Sequence, residues 1–277
     1  MSRLKKYLTE KTFAIDKDVE LLYDKSGIED LFKAINRGDE DYVYSFLNSR
    51  YDKSSGETIF FKSTSAILKN RNSKQAHKVN PVDIRIGSFF YGSYYDINKK
   101  VIQVSIHSSA LDMIMKNRLD FGAMKFQLGV MFDRFKSEFS PASFKGTIAH
   151  ELTHWIDDSL HNEFITKRVN KAKEKGEQIK GNLADVNHSN FEVNSQIHAM
   201  KSIRKGMKKK EFDKINWETF FKLKSSFVSN FKNFRTEDDY DKFVKAFVSR
   251  LHREKILPKG MQRILTWKEM KYLLSNI

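Results

Sequence analysis

The stretch "GTIAHELTHWIDD", residues 146–158, carries two histidines four positions apart, with a glutamate directly after the first. On an α-helix such residues are offset by about 40° and one turn, so His150 and His154 share a face. Two neutral imidazoles so placed suit a single zinc ion, each nitrogen about 2.0–2.1 Å from the metal. Glu151 then stands beside the metal rather than on it. That is where a general base must be to deprotonate an activated water. The flanks agree with a buried helix. Ile148, Leu152, Trp155 and Ile156 recur at helical spacing, and Thr147, Ala149 and Thr153 carry no charge. An unpaired charge beside a buried metal helix is costly. The competing reading is a surface helix that bears two histidines by coincidence.

Composition sets the wider bounds. A chain of 277 residues buries a real core, and 40% hydrophobic residues with 13% aromatics is a globular composition rather than a disordered one. Only Pro81, Pro141 and Pro258 interrupt it, so long helices are expected. No run of about 18 apolar residues predicts a membrane span. The N-terminal "MSRLKKYLTEKTFAIDKD" has no apolar core and no cleavage site, so no secretory signal is read. The chain has no cysteine, which removes disulfides and thiolate ligands. An intracellular or virion-packaged protein is the resulting expectation, with a lysine-rich composition of the phage or AT-rich bacterial kind. The net charge of +15 favours anionic partners, nucleic acid or acidic proteins among them. No nucleic-acid-binding motif accompanies it, and a solvated lysine-rich surface accounts for it more simply.

Periodicity organises the rest. Ile28, Leu31, Phe32 and Ile35 have helical spacing after a candidate N-cap at Ser26, and a second short helix is expected near 42–47. The polar segment 63–80 reads as a loop or boundary. "VDIRIGSFF" and "VIQVSIH" alternate, with an Asp-Ile-Asn-Lys turn between them, and predict a small antiparallel meander over about 82–107. Helices follow: two before Pro141, one from there to about Leu160, one over "SNFEVNSQIHAMKSIRKGM" capped by Ser189 or Asn190, and several beyond Gly206. The expected fold class is α+β. The expected divisions are a mainly helical region 1–80, a core 81–205 holding the sheet and the histidine helix, and a helical region 206–277.

At "TIAHELTHWI" the sequence resembles the zincin metallopeptidases, and fits their extended active-site signature at every position. The close match covers about a dozen residues. The resemblance implies a small antiparallel or mixed sheet, whose edge strand holds substrate, packed on two helices that carry the metal ligands. The strand Val101–His107 is the expected edge.

A catalytic zinc needs a third protein ligand and an open position. Metzincins place a glycine and a histidine soon after the second ligand. Here "WIDDSLHNE" has no glycine, and His161 falls one position late. The chain is more similar to the gluzincins, which draw a glutamate from a following helix. Glu192 in "SNFEVNSQIHAM" fits, flanked by Phe191, Val193 and Ile197. Ser195 follows three later, as in the thermolysin-like pattern, whereas Gln196 stands where that pattern has an aspartate. His188, His198 and His161 are the alternatives to Glu192. Asp157 or Asp158 is expected to orient a ligand imidazole, unless they are ordinary charges near a helix end. An oxyanion donor is also required; His198, Tyr94 and Tyr95 are candidates, each more simply read as a packed aromatic or a surface histidine. The expected activity is zinc-dependent hydrolysis of a protein or peptide substrate. His150, His154 and Glu192 hold one Zn2+, and Glu151 is the general base. The alternatives are a zincin-like fold acting on another substrate, and a basic nucleic-acid-associated protein whose zinc site is structural. A closed fourth ligand such as His188 would favour the last.

Overall fold

A computed structural model describes residues 12–68, 79–89, 92–106, 108–116, 121–160, 190–223, 231–232, 234 and 236–276. Helices dominate, with one five-stranded mixed sheet, so the fold is α+β. Contacts divide the chain into two compact units, 1–144 and 145–277. The expected divisions are placed near residues 80 and 205. Strand pairing crosses the first of these, and a shared core crosses the second.

The first unit opens with helices α1 (Thr12–Ser26), α2 (Ile28–Arg37) and α3 (Glu40–Asn48). Ile28, Leu31, Ala34 and Ile35 form the buried stripe of α2. Ser26 ends α1 rather than starting α2; the capping position is Gly27, whose φ of 70° suits a residue without a Cβ. Ser26 Oγ still accepts from the Ile28 amide at 3.3 Å. Asp39 caps α3, accepting from the Tyr42 amide at 3.1 Å.

The strands are β1 (Tyr51–Asp52), β2 (Glu57–Thr64), β3 (Asp83–Ser88), β4 (Tyr94–Asp96) and β5 (Val101–Ser105), in the order β1-β2-β3-β5-β4. Two expectations are corrected here. The segment 82–107 is not an antiparallel meander, because β3 and β5 run parallel, Ile84 opposite Ile102, with β4 antiparallel on the far side of β5. Nor is Val101–His107 an edge: β5 is paired on both sides, and Ile102, Gln103, Val104 and Ser105 are all buried. Its alternation separates two covered faces rather than core from solvent. Gln103 is satisfied on the second face, donating to the Gly92 carbonyl at 3.1 Å and meeting Tyr94 Oη at 3.4 Å. The β4–β5 turn is as read: Asp96 Oδ1 accepts from the Asn98 and Lys99 amides, both at 2.9 Å, and Lys100 has φ 52°.

Strands β1 and β2, absent from the sequence reading, join the sheet through an irregular register between Ile59 and Phe61. Gly87 faces that irregularity. A Cβ there would lie 2.2 Å from the Thr58 carbonyl oxygen, so the strands meet only because the side chain is missing. Helices α4 (Ser109–Lys116) and α5 (Phe121–Glu138) complete the unit, with Phe135 and Phe139 stacked at 5.0 Å and Phe32 against Phe139 at 5.5 Å.

Helix α6 (Pro141–Leu160) begins on Ser140, whose carbonyl and hydroxyl accept from the Phe144 and Ser143 amides, with Pro141 as first helical residue. The unit boundary falls inside it. The second unit continues with α7 (Asn190–Gly206), α8 (Lys209–Asp213), α9 (Trp217–Leu223), α10 (Glu237–Arg253) and α11 (Trp267–Ser275). Val193, Ile197, Met200 and Ile203 of α7 share one apolar core with the aromatic residues of α9 and α10, including Phe220, Phe221, Phe243 and Phe247. Phe231 and Phe234 belong to the same core. Polar ends of large aromatics are satisfied: Trp217 Nε1 donates to the Arg263 carbonyl at 2.9 Å and Tyr240 Oη to the Leu265 carbonyl at 2.6 Å. A capping box of Thr266 and Glu269 starts α11.

Gly87→Ala is expected to destabilise the protein by about 3 kcal/mol or more, since a backbone carbonyl must move. Gly38→Ala, at φ 70° but with open space around the new Cβ, should cost only about 1–2 kcal/mol. Denaturant melts of the two variants check the ranking; equal losses would refute the close-approach argument.

Candidate metal centre

Helix α6 lies in a buried setting that its sequence dictates. Ile148, Ala149, Leu152 and Trp155 are almost fully buried, and so are Glu151, Thr153, Asp157 and Asp158. Thr153 returns its hydroxyl to the Ala149 carbonyl at 2.7 Å, one turn back, which satisfies a polar group that the core could not otherwise hold. His150 is buried and His154 half-buried.

The two imidazoles converge. His150 Nε2 and His154 Nε2 are 3.0 Å apart, with ring centroids at 4.6 Å and the rings nearly perpendicular at 83°. Two nitrogens bound to one tetrahedral zinc at 2.0–2.1 Å would be separated by about 3.3 Å. The pair is within a few tenths of an ångström of that spacing, and the same separation is that of an N–H···N hydrogen bond between the two rings. These residues therefore fit a shared divalent cation.

The setting of α7 against α6 follows from two contacts. At one end Gly146, one turn before His150, packs on α7: a Cβ there would lie 2.9 Å from Ile203 Cγ1 and 3.2 Å from the Ala199 carbonyl oxygen. At the other end Asn194 Nδ2 donates to Asp157 Oδ2 at 2.8 Å. Position increases along α6 from 146 to 157 while it decreases along α7 from 203 to 194, so the helices pass in opposite senses. The histidine pair lies between the two contacts on α6. On α7, Glu192 stands seven and eleven residues before Ala199 and Ile203, the two residues that meet Gly146, and Asn194 is offset from it by about 200° round the helix.

The predicted residues divide accordingly. His150, Glu151 and His154 are brought together by one helix. Glu192 is on α7, the helix that meets α6; its side chain lies outside the described residues, as do His161 and His188. Among the described residues no group of three histidine, aspartate or glutamate side chains forms a metal site. His198 is buried on α7, and Ser195 and Gln196 are buried beside it. Tyr95 sits on β4 opposite Ile102, in the first unit, and Tyr94 is turned to Gln103. Asp157, expected as a partner for a ligand imidazole, hydrogen-bonds the Asn194 amide.

Two residues escaped the sequence reading. Asn194 Oδ1 accepts from Arg250 Nη2 at 2.6 Å, so Asp157, Asn194 and Arg250 form a buried chain across α6, α7 and α10. Burial disfavours the Arg250 cation and moves its pKa down, while Glu254 and Asp157 oppose that shift. The available signal was an arginine on the apolar stripe of α10, between Phe247 and Leu251.

Comparison with protein-family models, with curated proteins and with solved structures finds no match.

If Glu192 completes the ligand set, Glu192→Ala and His150→Ala should each abolish tight zinc binding, whereas His198→Ala should retain about one zinc per chain. Metal analysis of the purified variants decides it; full occupancy in Glu192→Ala would remove Glu192 from the site.

Proposed function

We propose that the protein is a zinc-dependent metallopeptidase of the gluzincin type. The observation that carries this reading is the approach of His150 and His154 Nε2 to 3.0 Å on one buried helix, with a buried glutamate directly after the first. In this reading His150, His154 and Glu192 hold the metal. Bound there, zinc supplies a water of pKa near 7 and a Lewis acid for the scissile carbonyl.

The chain's own residues do the rest. Glu151 takes the proton from the attacking water and delivers it to the leaving amine, which lets the C–N bond break without expelling an amide anion. His198, buried on α7, is the proposed donor to the developing oxyanion. The α6 helix holds Glu151 and both histidines as one rigid unit, so their mutual geometry is set before substrate arrives. The substrate is a protein or peptide. The positive charge of the chain favours acidic sequences around the cleaved bond.

Peptide-library cleavage read by mass spectrometry tests the proposal, on wild type and Glu151→Gln together, with zinc measured on both. Wild type should cleave. Glu151→Gln should carry the same zinc and lose at least about 100-fold in rate, the scale of general-base catalysis. Zinc in both proteins with equal cleavage would remove Glu151 from the mechanism. Absence of zinc from wild type would overturn the metallopeptidase reading altogether.

A further inference from the structure

We infer that Arg250 and Asn194 are positioning residues for the metal centre: the chain Arg250–Asn194–Asp157 fixes the setting of α7 against α6. This inference rests on the metallopeptidase reading, since it assigns what holds the two proposed ligand helices in register.

The three residues are 8%, 4% and 2% exposed. The amide of Asn194 uses both its ends, donating to Asp157 at 2.8 Å and accepting from Arg250 at 2.6 Å. An arginine and an aspartate are thereby coupled through a neutral side chain. A buried cation and a buried anion linked in this way tolerate little displacement, because movement of any member leaves a charge desolvated without its hydrogen bond. An apolar contact of the same area could slide; this one has a direction.

Its location gives it a consequence. Asp157 is three residues after His154 on α6, and Asn194 is two after Glu192 on α7. The chain therefore joins the two helices within a turn of a proposed ligand on each. Gly146 against Ala199 and Ile203 sets how closely the helices approach, but a glycine contact does not fix rotation of α7 about its own axis. A two-ended hydrogen bond does. Rotation of α7 by one residue, about 100°, would break that bond and move position 192 relative to α6. Arg250 is in turn held by α10, which shares the apolar core of α7, and Lys201 of α7 pairs with Glu254 of α10 at 2.9 Å. The C-terminal helices, remote in sequence from the histidine motif, thus act on the site through Arg250.

The test is zinc affinity of the full chain, measured by competition with a chromophoric chelator, for wild type, Arg250→Met, Asn194→Ser and Phe243→Leu. Asn194→Ser breaks both hydrogen bonds but keeps both charges, so it does not leave Asp157 buried without a balancing cation as Arg250→Met does. Phe243→Leu lowers stability through the same core without touching the chain. While a variant stays folded, a loss of global stability alone does not change its metal dissociation constant. Arg250→Met and Asn194→Ser should bind zinc about 10–100-fold more weakly, the usual effect of losing an outer partner of a metal site. Phe243→Leu should bind within twofold of wild type. Zinc affinity within twofold of wild type in Asn194→Ser would overturn the positioning role while leaving the metallopeptidase reading intact. An equal loss in Phe243→Leu would also overturn it, by showing general loosening. A wild-type chain that binds no zinc would sink both.

Discussion

The close passage of α6 and α7 is the constraint on which the candidate site depends. Gly146 is its tightest point. Without a Cβ, the backbone of α6 comes near enough for the Ala199 carbonyl and the Ile203 side chain to lie directly against it. Eleven residues on, the helices are joined by a side-chain hydrogen bond instead. A backbone approach sets distance and a directed hydrogen bond sets rotation. Together they hold a helix bearing two converging imidazoles against a helix bearing a glutamate, which is the arrangement that the proposed chemistry needs.

The two compact units use different means of stabilisation. The first buries aliphatic strands between two covered faces, and its polar core residues Gln103 and Ser105 are satisfied by the backbone and hydroxyls of the neighbouring segments. The second is a helical assembly around clustered aromatic rings, Phe231 alone meeting Phe221, Phe234 and Phe243 within 5.0–5.6 Å. Aromatic clusters give large apolar burial with few rotatable bonds. That suits a unit whose helices must hold a buried arginine in place. Among the described residues no helix is long and apolar enough to cross a membrane.

What was legible in the sequence was local. The histidine pair needed only helical geometry, because residues four apart share a face in any helix; the flanking Ile148, Leu152 and Trp155 made that helix buried, and it is. The Asp96 turn was likewise readable, since its hydrogen bonds run to residues two and three ahead. The order of the strands was not. Alternation in Val101–Ser105 signals a strand but is the same for an edge and an interior position, and only pairing with β3 and β4 makes β5 interior. The two-residue β1 is too short to show a pattern, and β2 was missed because Ile59, Phe60 and Phe61 are consecutive apolar residues that hide its alternation, although burial along the strand does alternate.

The sequence by itself determined the α+β class, the helix Pro141–Leu160 and the convergence of His150 and His154, all of which follow from interactions within about one helical turn or one strand. Tertiary structure alone decided that Val101–Ser105 is a central strand parallel to β3, that Gly146 seats α6 on α7, and that Asp157 is engaged by Asn194 and, through it, by Arg250. The physical reason is range. A backbone hydrogen bond four residues away is available whatever the rest of the chain does. The partner of a buried carboxylate can come from anywhere in the chain, and here it lies 37 residues on, with the balancing cation 56 residues further.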